Sequence, residues 1–456
     1  MRFYILKLEL NGVKNIDKKI ELEFYKTNFS KKFDSSKTHV KAIYGTNGAG
    51  KTAIVSAMDI YKHLVTRTDY VVISNSNEIF KNIINKNTKQ FEITLTVALI
   101  NSDDEIMYIF SHYICLKEQN NQFIIFEEKL SKLLGYRLNT PEKYKLIYHV
   151  KNGNIIELCK NINESDTIKN ITTNLLTTQS LSLIVVKNLD KFDVSKNIDL
   201  LPPIVYLFSF AFDLNIILQD SDKNYIEVNN KLANELIAVL DYITKIEDYN
   251  DFNIDNLFFG RNIGVTSKES ICISKDKFQD YSKQIKNLTK FIQIFKNDLD
   301  DIEIEKDEND LFYECELILI YNDGRRINKK FESTGIKKII ELYNALCDIQ
   351  KGKIVFIDEF DANIHDVLLT KLLEYIINYT KGQFVFTTHN LEPMNILENY
   401  KNSLDFLSPD IKLVSWKKNG NYKAANLYKN GYIKYSPFNI EAFNFLGTFG
   451  DDEEDE

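Results

Sequence analysis

The sequence predicts an α/β fold that combines a mixed β-sheet with an antiparallel β-subdomain. A glycine-rich turn, Gly45 to Thr52, lies between an apolar run at Lys41 to Tyr44 and a helical pattern at Ala53 to Val65. A strand–helix–strand pattern covers Ile354 to Thr387, and a connection of that length implies parallel strands. Several strand-like runs with short connections lie between Phe91 and Cys159, as is typical of an antiparallel meander.

The N-terminal part of the chain consists mainly of strands. Alternating apolar and polar residues and the turn signal Asn11-Gly12 predict a pair of strands before the glycine-rich turn. The predicted strands are Phe3 to Leu10, Ile20 to Phe24, Phe91 to Ile100, Ile106 to Leu116, Phe123 to Phe126, Lys145 to Val150 and Ile155 to Cys159.

The middle of the chain has a helical pattern. Ile204 to Leu218 follows two prolines and predicts a buried helix; Asp213 interrupts it, and it is too short to span a bilayer. Val228 to Ile246 and Phe278 to Ile302 carry apolar residues at helical spacing. These helices form either a short arm or a subdomain packed on the core, and the sequence leaves both possibilities open.

A hairpin and the strand–helix–strand unit follow the helical part. Leu311 to Ile320 and Arg325 to Phe331 flank Asn322-Asp323-Gly324, a strong turn signal, and a helix is predicted from Ile336 to Ile349. We therefore divide the chain into an N-terminal lobe (1–202), a helical insertion (203–305), a C-terminal lobe (306–450) and an acidic, disordered tail (451–456).

Composition sets broad limits. The chain has 456 residues and a net charge of -8, but its last six residues are all acidic, and without them 59 acidic residues face 57 basic ones. Charge therefore neither supports nor excludes nucleic-acid binding. Five dispersed cysteines and no signal-peptide pattern predict a reducing cytoplasm, with no disulfide framework and no membrane association.

The glycine-rich turn has the composition of a phosphate-binding loop. Its residues are Gly45, Thr46, Asn47, Gly48, Ala49, Gly50, Lys51 and Thr52. Glycines let backbone N–H groups converge on phosphate oxygens, and the following helix offers its positive end to the same anion. Lys51 can reach the β- and γ-phosphates of ATP, and the Thr52 hydroxyl can bind Mg²⁺.

Two acids end the next buried strand. Asp358 and Glu359 follow Ile354 to Ile357, and ligands of α/β sheets bind beyond the carboxyl ends of strands. Adjacent residues on an extended chain point in opposite directions. We therefore expect Asp358 to hold Mg²⁺, directly or through water, and Glu359 to orient and deprotonate the water that attacks the γ-phosphate.

Two further polar groups are candidates for phosphate contacts. His389 ends the following strand and can contact the γ-phosphate. Ser333 and Gly335, in a turn that opens a helix, can form an anion site from a hydroxyl, backbone N–H groups and a helix N-terminus. A Ser-x-Gly turn is usually a helix cap, and its position ahead of the strand with the two acids is what makes it a candidate.

The order of these motifs resembles the ATPase heads of the ABC superclass, in particular the RecF/SMC and overcoming-lysogenization-defect (OLD) branch, whose members are often labelled AAA ATPases. Asn47 matches the GxNGxGK loop of that branch. Glu332 to Lys337 is similar to its signature, and Asp358 to His365 to its Walker B motif and D-loop. Leu8 to Ile16 is similar to its opening strand and turn. The resemblance implies an ABC-type head with an inserted helical arm.

The resemblance also implies shared sites. Two heads pair head to tail, and each ATP is held by Lys51 of one protomer and by Ser333 and Gly335 of the other. In the opening turn a basic residue, here Lys14, lies near the nucleotide. Gln90 is the candidate for the family's Q-loop glutamine, a further magnesium ligand.

Three functions remain open at this stage. OLD proteins carry a Toprim nuclease after the ATPase, and only about 65 residues follow His389. The chain thus resembles AriA-like ATPase subunits of phage-defence systems, which implies an ATP-gated sensor or scaffold that controls a separate effector such as a Toprim nuclease. The alternatives are a RecF/SMC-like ATPase that repairs or tethers DNA, and an interaction protein that binds ATP without hydrolysing it. A DNA-binding role predicts a basic stripe, with Arg325, Arg326 and Lys81 to Lys89 as candidates.

Overall fold

The structure is a computed structural model of the chain. It describes residues 1–160, 165–218, 270–308, 312–362, 364–408, 410–418 and 422–433. The predicted helix Val228 to Ile246 and the acidic tail 451–456 lie outside these residues.

The described ranges contain runs of consecutive strands and runs of consecutive helices. The strands are β1 (Arg2–Asn11), β2 (Ile20–Glu23), β3 (Val40–Gly45), β4 (Gln90–Ile100), β5 (Ile106–Gln119), β6 (Gln122–Leu133), β7 (Tyr144–Lys151), β8 (Asn154–Leu158), β9 (Asn215–Ile217), β10 (Ile271–Ser274), β11 (Leu299–Glu308), β12 (Phe312–Tyr321), β13 (Arg326–Asn328), β14 (Ile354–Ile357), β15 (Gln383–Thr387), β16 (Leu404–Leu407) and β17 (Leu413–Ser415). The helices are α1 (Lys51–Thr66), α2 (Tyr70–Ser76), α3 (Ile79–Ile83), α4 (Ser165–Thr172), α5 (Leu181–Val186), α6 (Leu201–Asp213), α7 (Phe278–Phe295), α8 (Thr334–Gln350), α9 (Asp366–Tyr379), α10 (Glu392–Leu397) and α11 (Ala424–Lys429).

A six-stranded sheet carries the glycine-rich turn and the two acids. Its strand order is β17-β16-β3-β15-β14-β9, and every neighbouring pair is parallel except β16 and β17. The strand before the glycine-rich turn, β3, is separated from the strand before the acids, β14, by β15 alone. The carboxyl ends of these three strands therefore lie at one edge of the sheet. The predicted parallel strand–helix–strand unit is confirmed.

The predicted meander is also confirmed. Strands β1 and β2 join β4 to β8 in a seven-stranded antiparallel sheet with the order β2-β1-β4-β5-β6-β7-β8. Helices α1 and α6 pack between this sheet and the parallel sheet. Side chains of β3 alternate accordingly, since Ile43 belongs to the core on the meander side and Tyr44 to the core on the opposite side, against α8 to α11.

The predicted helix Phe278 to Ile302 is wrong at its C-terminal end. Helix α7 stops at Phe295, and Leu299 begins β11, which pairs with β12 in an antiparallel sheet of β10 to β13. Apolar residues at Leu299 and Ile302 continued the helical spacing, but they are buried in a third core between this sheet and helices α7 and α8. The predicted hairpin around Asn322 to Gly324 is confirmed as β12 and β13.

The predicted boundary between 202 and 203 falls inside α6. This helix packs into the core on the meander side, and β9, which follows it, is an edge strand of the parallel sheet. The described part of the expected insertion 203–305 thus contains strands as well as helices. Among the helices of the described ranges, none is both long enough and apolar enough to cross a membrane.

Candidate functional site: a phosphate loop at the edge of the parallel sheet

The turn from Gly45 to Gly50 forms a tight loop between β3 and α1. A Cβ atom at Gly45 would lie 2.6 Å from the backbone oxygen of Leu407, so no side chain fits there. Gly50 has φ +108°, a left-handed conformation that favours glycine. Helix α1 begins at Lys51 without a side-chain cap. No side-chain cap therefore competes with an anion for the first N–H groups of the helix.

Lys51 lies folded against the loop. Its ammonium group donates hydrogen bonds to the backbone oxygens of Gly45, at 2.9 Å, and Thr46, at 3.3 Å, and the side chain is largely buried. Burial lowers the pKa of Lys51 below its usual value, while the carboxylates of Asp358, Glu359 and others nearby act in the opposite direction. A buried cation at the mouth of a glycine-rich loop fits a polyphosphate.

Asn15 fixes the loop from outside. Its side-chain amide donates a hydrogen bond of 2.6 Å to the backbone oxygen of Gly48. Its carbonyl oxygen lies 2.9 Å from the position of a Cβ atom at Gly50. The turn after β1 therefore holds the phosphate loop in place, a role that the sequence analysis did not assign to Asn15.

Asp358 and Glu359 occupy the first positions after β14. Asp358 is buried, and its Oδ1 atom accepts a hydrogen bond of 2.5 Å from the hydroxyl of Thr387, the last residue of β15. The backbone N–H of Glu359 donates to the same hydroxyl at 2.8 Å. The structure thus brings both acids to the edge where the loop lies.

The charges at this edge act on one another. The pKa of His389 is lowered because partial burial disfavours the charged imidazolium and the positive charge of Lys51 repels it, whereas the carboxylates of Asp358, Glu359 and Asp361 act in the opposite direction. The same three carboxylates act on Lys51. An imidazole that stays neutral near neutral pH can donate a hydrogen bond to a phosphate oxygen.

Asp361 lies within the motif Asp358 to His365 and belongs to this group of charges. Its Oδ1 atom is buried and makes no hydrogen bond to the part of the chain that the structure describes. Its charge acts on Lys51, His389 and Tyr44. In the sequence, this role of Asp361 is indicated only by its place among the acids that follow β14.

The residues present fit a magnesium ion. In the described ranges, no three His, Cys, Asp or Glu side chains cluster as a self-sufficient metal site. Magnesium usually takes one or two protein ligands and completes its shell with water and substrate phosphates. Thr52, in the first turn of α1, and Asp358, with one carboxylate oxygen engaged by Thr387, provide such a partial set.

Ser333 and Gly335 lie on a different part of the molecule. Ser333 is the exposed N-cap of α8, and its hydroxyl accepts a hydrogen bond of 3.3 Å from the backbone N–H of Ile336. The first turn of this helix packs on the core of β10 to β13 rather than on the phosphate loop. Within one chain, no described hydrogen bond joins Ser333 or Gly335 to Lys51.

The N-cap residue Ser333 is held in place by the side chain of Glu332. The Glu332 side chain accepts hydrogen bonds from the Tyr321 hydroxyl, at 2.5 Å, and from the backbone N–H of Ser333, at 3.1 Å. Tyr321 is the last residue of β12. The hairpin that was predicted from Asn322 to Gly324 is therefore linked directly to the Ser-x-Gly turn.

Lys14 lies in the turn after β1, and Gln90 lies at the start of β4. Lys14 has φ +48°, and its backbone is fixed by the oxygen of Ile83 and the side chain of Asn85. Gln90 begins β4, and its backbone oxygen accepts from the Thr88 hydroxyl. Their nucleotide and metal roles stay predictions.

The candidate basic stripe is largely neutralised. Arg325 pairs with Asp323 and Asp298, and Arg326 pairs with Glu303 and Glu305. In the second candidate stretch, Lys81 pairs with Glu78 and Lys89 with Glu118.

Comparison with protein families gives a match to part of the chain. Residues 188–395 match the family described as "AAA domain, putative AbiEii toxin, Type IV TA system". The matched stretch includes Ser333, Asp358, Glu359 and His389 and leaves out the phosphate loop. No curated protein sequence matches the chain.

Two solved structures are similar over most of the chain. One is the Smc head domain with an extended coiled coil, bound to the C-terminal domain of ScpA, from Pyrococcus furiosus; it shares 15% identity, covers 91% of this chain and 96% of its own, and has a TM-score of 0.41. The other is the Smc head domain with a coiled coil and joint from Pyrococcus yayanosii, with 14% identity, coverage of 91% and 97%, and a TM-score of 0.38.

The fold and its loop define the class of protein. A glycine-rich loop joins a parallel strand to a helix, the strand with the acids lies two positions away in the sheet, and an antiparallel sheet covers one face. This is the architecture of an ABC-type P-loop ATPase head. Residues 188–395 are, in addition, similar to the AAA domain of the matched family.

Proposed function

We propose that this protein binds ATP with Mg²⁺ and hydrolyses it to ADP and phosphate. The observation that carries the proposal is the convergence of Lys51, Asp358, Glu359 and His389 at one edge of the parallel sheet, where their charges act on one another. A phosphate loop, a magnesium ligand, a base and a polar group at the γ-phosphate are the parts that P-loop hydrolysis requires.

Each side chain has a task that suits its surroundings. Lys51, now bound to the oxygens of Gly45 and Thr46, would turn to the β- and γ-phosphates, because a charge-assisted bond to phosphate is stronger than one to a neutral carbonyl. Magnesium, when bound, neutralises charge on the phosphates. Glu359 would take a proton from the attacking water as the water oxygen bonds to the γ-phosphorus and the bond to the bridging oxygen breaks.

We further propose that two copies pair head to tail, so that Ser333 and Gly335 of one complete the site of the other. The support is geometric, since the exposed N-cap Ser333 and the edge with Lys51 belong to separate cores of the same chain. A helix N-terminus with an exposed serine as its N-cap is suited to a phosphate oxygen. Hydrolysis would then require at least a dimer.

The biological role proposed for this dimer is a nucleotide-gated sensor or scaffold that controls a separate effector, such as a Toprim nuclease, in bacterial antiviral defence. The matched family is described as including a putative toxin of a type IV TA system, which supports a protein that acts together with a partner. The remaining support is the motif order, which resembles phage-defence ATPases.

A RecF/SMC-like role on DNA ranks second. It requires exposed, unpaired cations that can displace counterions from DNA. The arginines at the hairpin turn, Arg325 and Arg326, are instead held by four carboxylates. DNA binding that weakens steeply with salt would reverse this ranking.

The test is a pull-down from the native host with ATP and Mg²⁺. Glu359→Gln protein should bind ATP, fail to hydrolyse it and retain the paired state, and Lys51→Ala serves as the nucleotide-free control. An effector protein that is recovered with Glu359→Gln and not with Lys51→Ala supports the sensor role. Recovery of DNA alone, or no difference between the two variants, contradicts it.

A further inference from the structure

The backbone at the two acids adopts an unusual conformation. Glu359 has φ +50°, in the left-handed region that residues with a side chain adopt infrequently. Such a conformation persists only where surrounding contacts enforce it, and it is often found at functional sites. Here these contacts include hydrogen bonds with Thr387, the last residue of β15.

Thr387 binds three consecutive residues of this turn. Its hydroxyl donates to Oδ1 of Asp358 at 2.5 Å and accepts from the backbone N–H of Glu359 at 2.8 Å. Its backbone oxygen accepts from the N–H of Phe360 at 3.0 Å. Thr387 is fully buried, so water does not replace these bonds.

These bonds are additional to the sheet. The parallel register of β14 and β15 ends with Ile357 opposite Phe386. Beyond that point the backbone N–H of Glu359 bonds to the side-chain hydroxyl of Thr387 instead of to a backbone oxygen of β15. A hydroxyl has one proton to donate, and here it is given to the carboxylate while the lone pair receives the Glu359 amide. Only a side chain that both donates and accepts satisfies this arrangement.

Thr387 is also close to the candidate phosphate contact His389. It precedes His389 by two residues at the end of the same strand, and the intervening Thr388 bonds to Ile43 of β3 through its backbone N–H. The strand end thus connects the phosphate-loop strand, the two acids and the histidine through backbone and side-chain bonds.

We propose that Thr387 is the positioning residue of the hydrolytic site. It orients the Asp358 carboxylate for Mg²⁺ and holds the backbone of Glu359 in the conformation that aims this acid at the attacking water. The proposal rests on the ATPase function proposed above, and goes beyond it by assigning the geometry of both acids to one hydroxyl.

The test compares Thr387→Val with Thr387→Ser in the full-length protein. Valine keeps the shape but removes the hydroxyl, whereas serine keeps the hydroxyl. Thr380→Val is the matched control, since Thr380 is a mostly buried threonine ahead of β15 whose hydroxyl bonds only to the backbone oxygen of Ile376 in the described chain. Calorimetry measures ATP affinity with and without Mg²⁺, and phosphate release measures kcat and KM.

We expect Thr387→Val to lower kcat and the Mg²⁺-dependent gain in ATP affinity about tenfold to a hundredfold, because it removes the hydroxyl to which the Asp358 carboxylate and the Glu359 N–H are bonded. ATP affinity without Mg²⁺ should stay unchanged, since Lys51 and the loop are intact. Thr387→Ser should restore most of both quantities, and Thr380→Val should match the wild type.

Two results overturn the proposal while leaving ATP hydrolysis intact. One is a Thr387→Val protein with wild-type kcat and Mg²⁺ dependence. The other is a Thr387→Ser protein as impaired as the valine variant, which would assign the effect to packing of the methyl group. A wild type that binds no ATP contradicts the proposed function itself, and the positioning role with it.

Discussion

The two halves of the proposed site differ in how the chain supports them. The half with Lys51, Asp358 and Glu359 is mostly buried. Side-chain hydrogen bonds hold it in place, between Asn15 and the loop and between Thr387 and the two acids. The half with Ser333 and Gly335 is an exposed helix N-terminus on a separate core, and the side chain of Glu332 accepts a hydrogen bond from the backbone N–H of Ser333. The first half is organised for chemistry within one chain, and the second is organised for contact with another molecule.

The largest effect is expected for Glu359→Gln in the buried half. Loss of the general base should lower kcat about a hundredfold to ten-thousandfold, while ATP binding stays near wild type because Lys51 and the phosphate loop are unchanged. Phosphate release and calorimetry measure the two quantities. Glu374→Gln, on the exposed face of α9, is the control that should leave both unchanged. Wild-type kcat in Glu359→Gln would remove Glu359 from the mechanism.

Lys51→Ala, also in the buried half, should act on binding. Because a charge-assisted bond to phosphate is lost, ATP affinity should fall about tenfold to a hundredfold. A titration with ATP and Mg²⁺ measures it, with Lys371→Ala on the surface of α9 as control. Unchanged affinity would mean that the glycine-rich loop is not the nucleotide site.

Ser333→Ala, in the exposed half, should leave ATP binding by the single chain intact and lower kcat about tenfold. The reason is that its hydroxyl would meet the phosphate only after two copies pair. The matched control is Thr334→Ala, one residue further along the same helix turn. If Ser333→Ala weakens ATP binding by the isolated monomer, Ser333 acts within one chain and the contrast between the halves fails.

Tyr321→Phe should give the smallest effect. It removes the hydroxyl that holds Glu332 behind Ser333 and should lower kcat by about twofold to tenfold, as expected for one hydrogen bond. Tyr313→Phe on the same strand is the control. In a Ser333→Ala background, Tyr321→Phe should have no further effect, because both changes act through the same residue. Additive losses would assign Tyr321 to general stability.

The same contrast explains what sequence alone could predict. The phosphate loop and the two acids follow strands whose local pattern is clear, so Lys51, Asp358 and Glu359 could be assigned from neighbouring residues. Thr387 could not, because its role depends on the pairing of β14 with β15, 29 residues away from Asp358 along the chain. Asn15 and Gly48 are likewise 33 residues apart.

The misassigned end of α7 has a similar cause. Leu299 and Ile302 continue a helical spacing, and only the pairing with β12 makes this segment a strand. Local periodicity predicted where elements begin, but long-range hydrogen bonds decided where this one ended. The predicted hairpin at Asn322 to Gly324 succeeded because its signal lies within the turn itself.

The most direct test of a site shared between two copies is a mixing experiment. Lys51→Ala and Ser333→Ala proteins are each assayed for ATP hydrolysis and then mixed in equal amounts. A mixed dimer has one site with both residues intact, so activity should recover to about a quarter of wild type in a head-to-tail pair with random exchange. Activity equal to the average of the two separate variants would contradict a shared site and confine hydrolysis to the single chain.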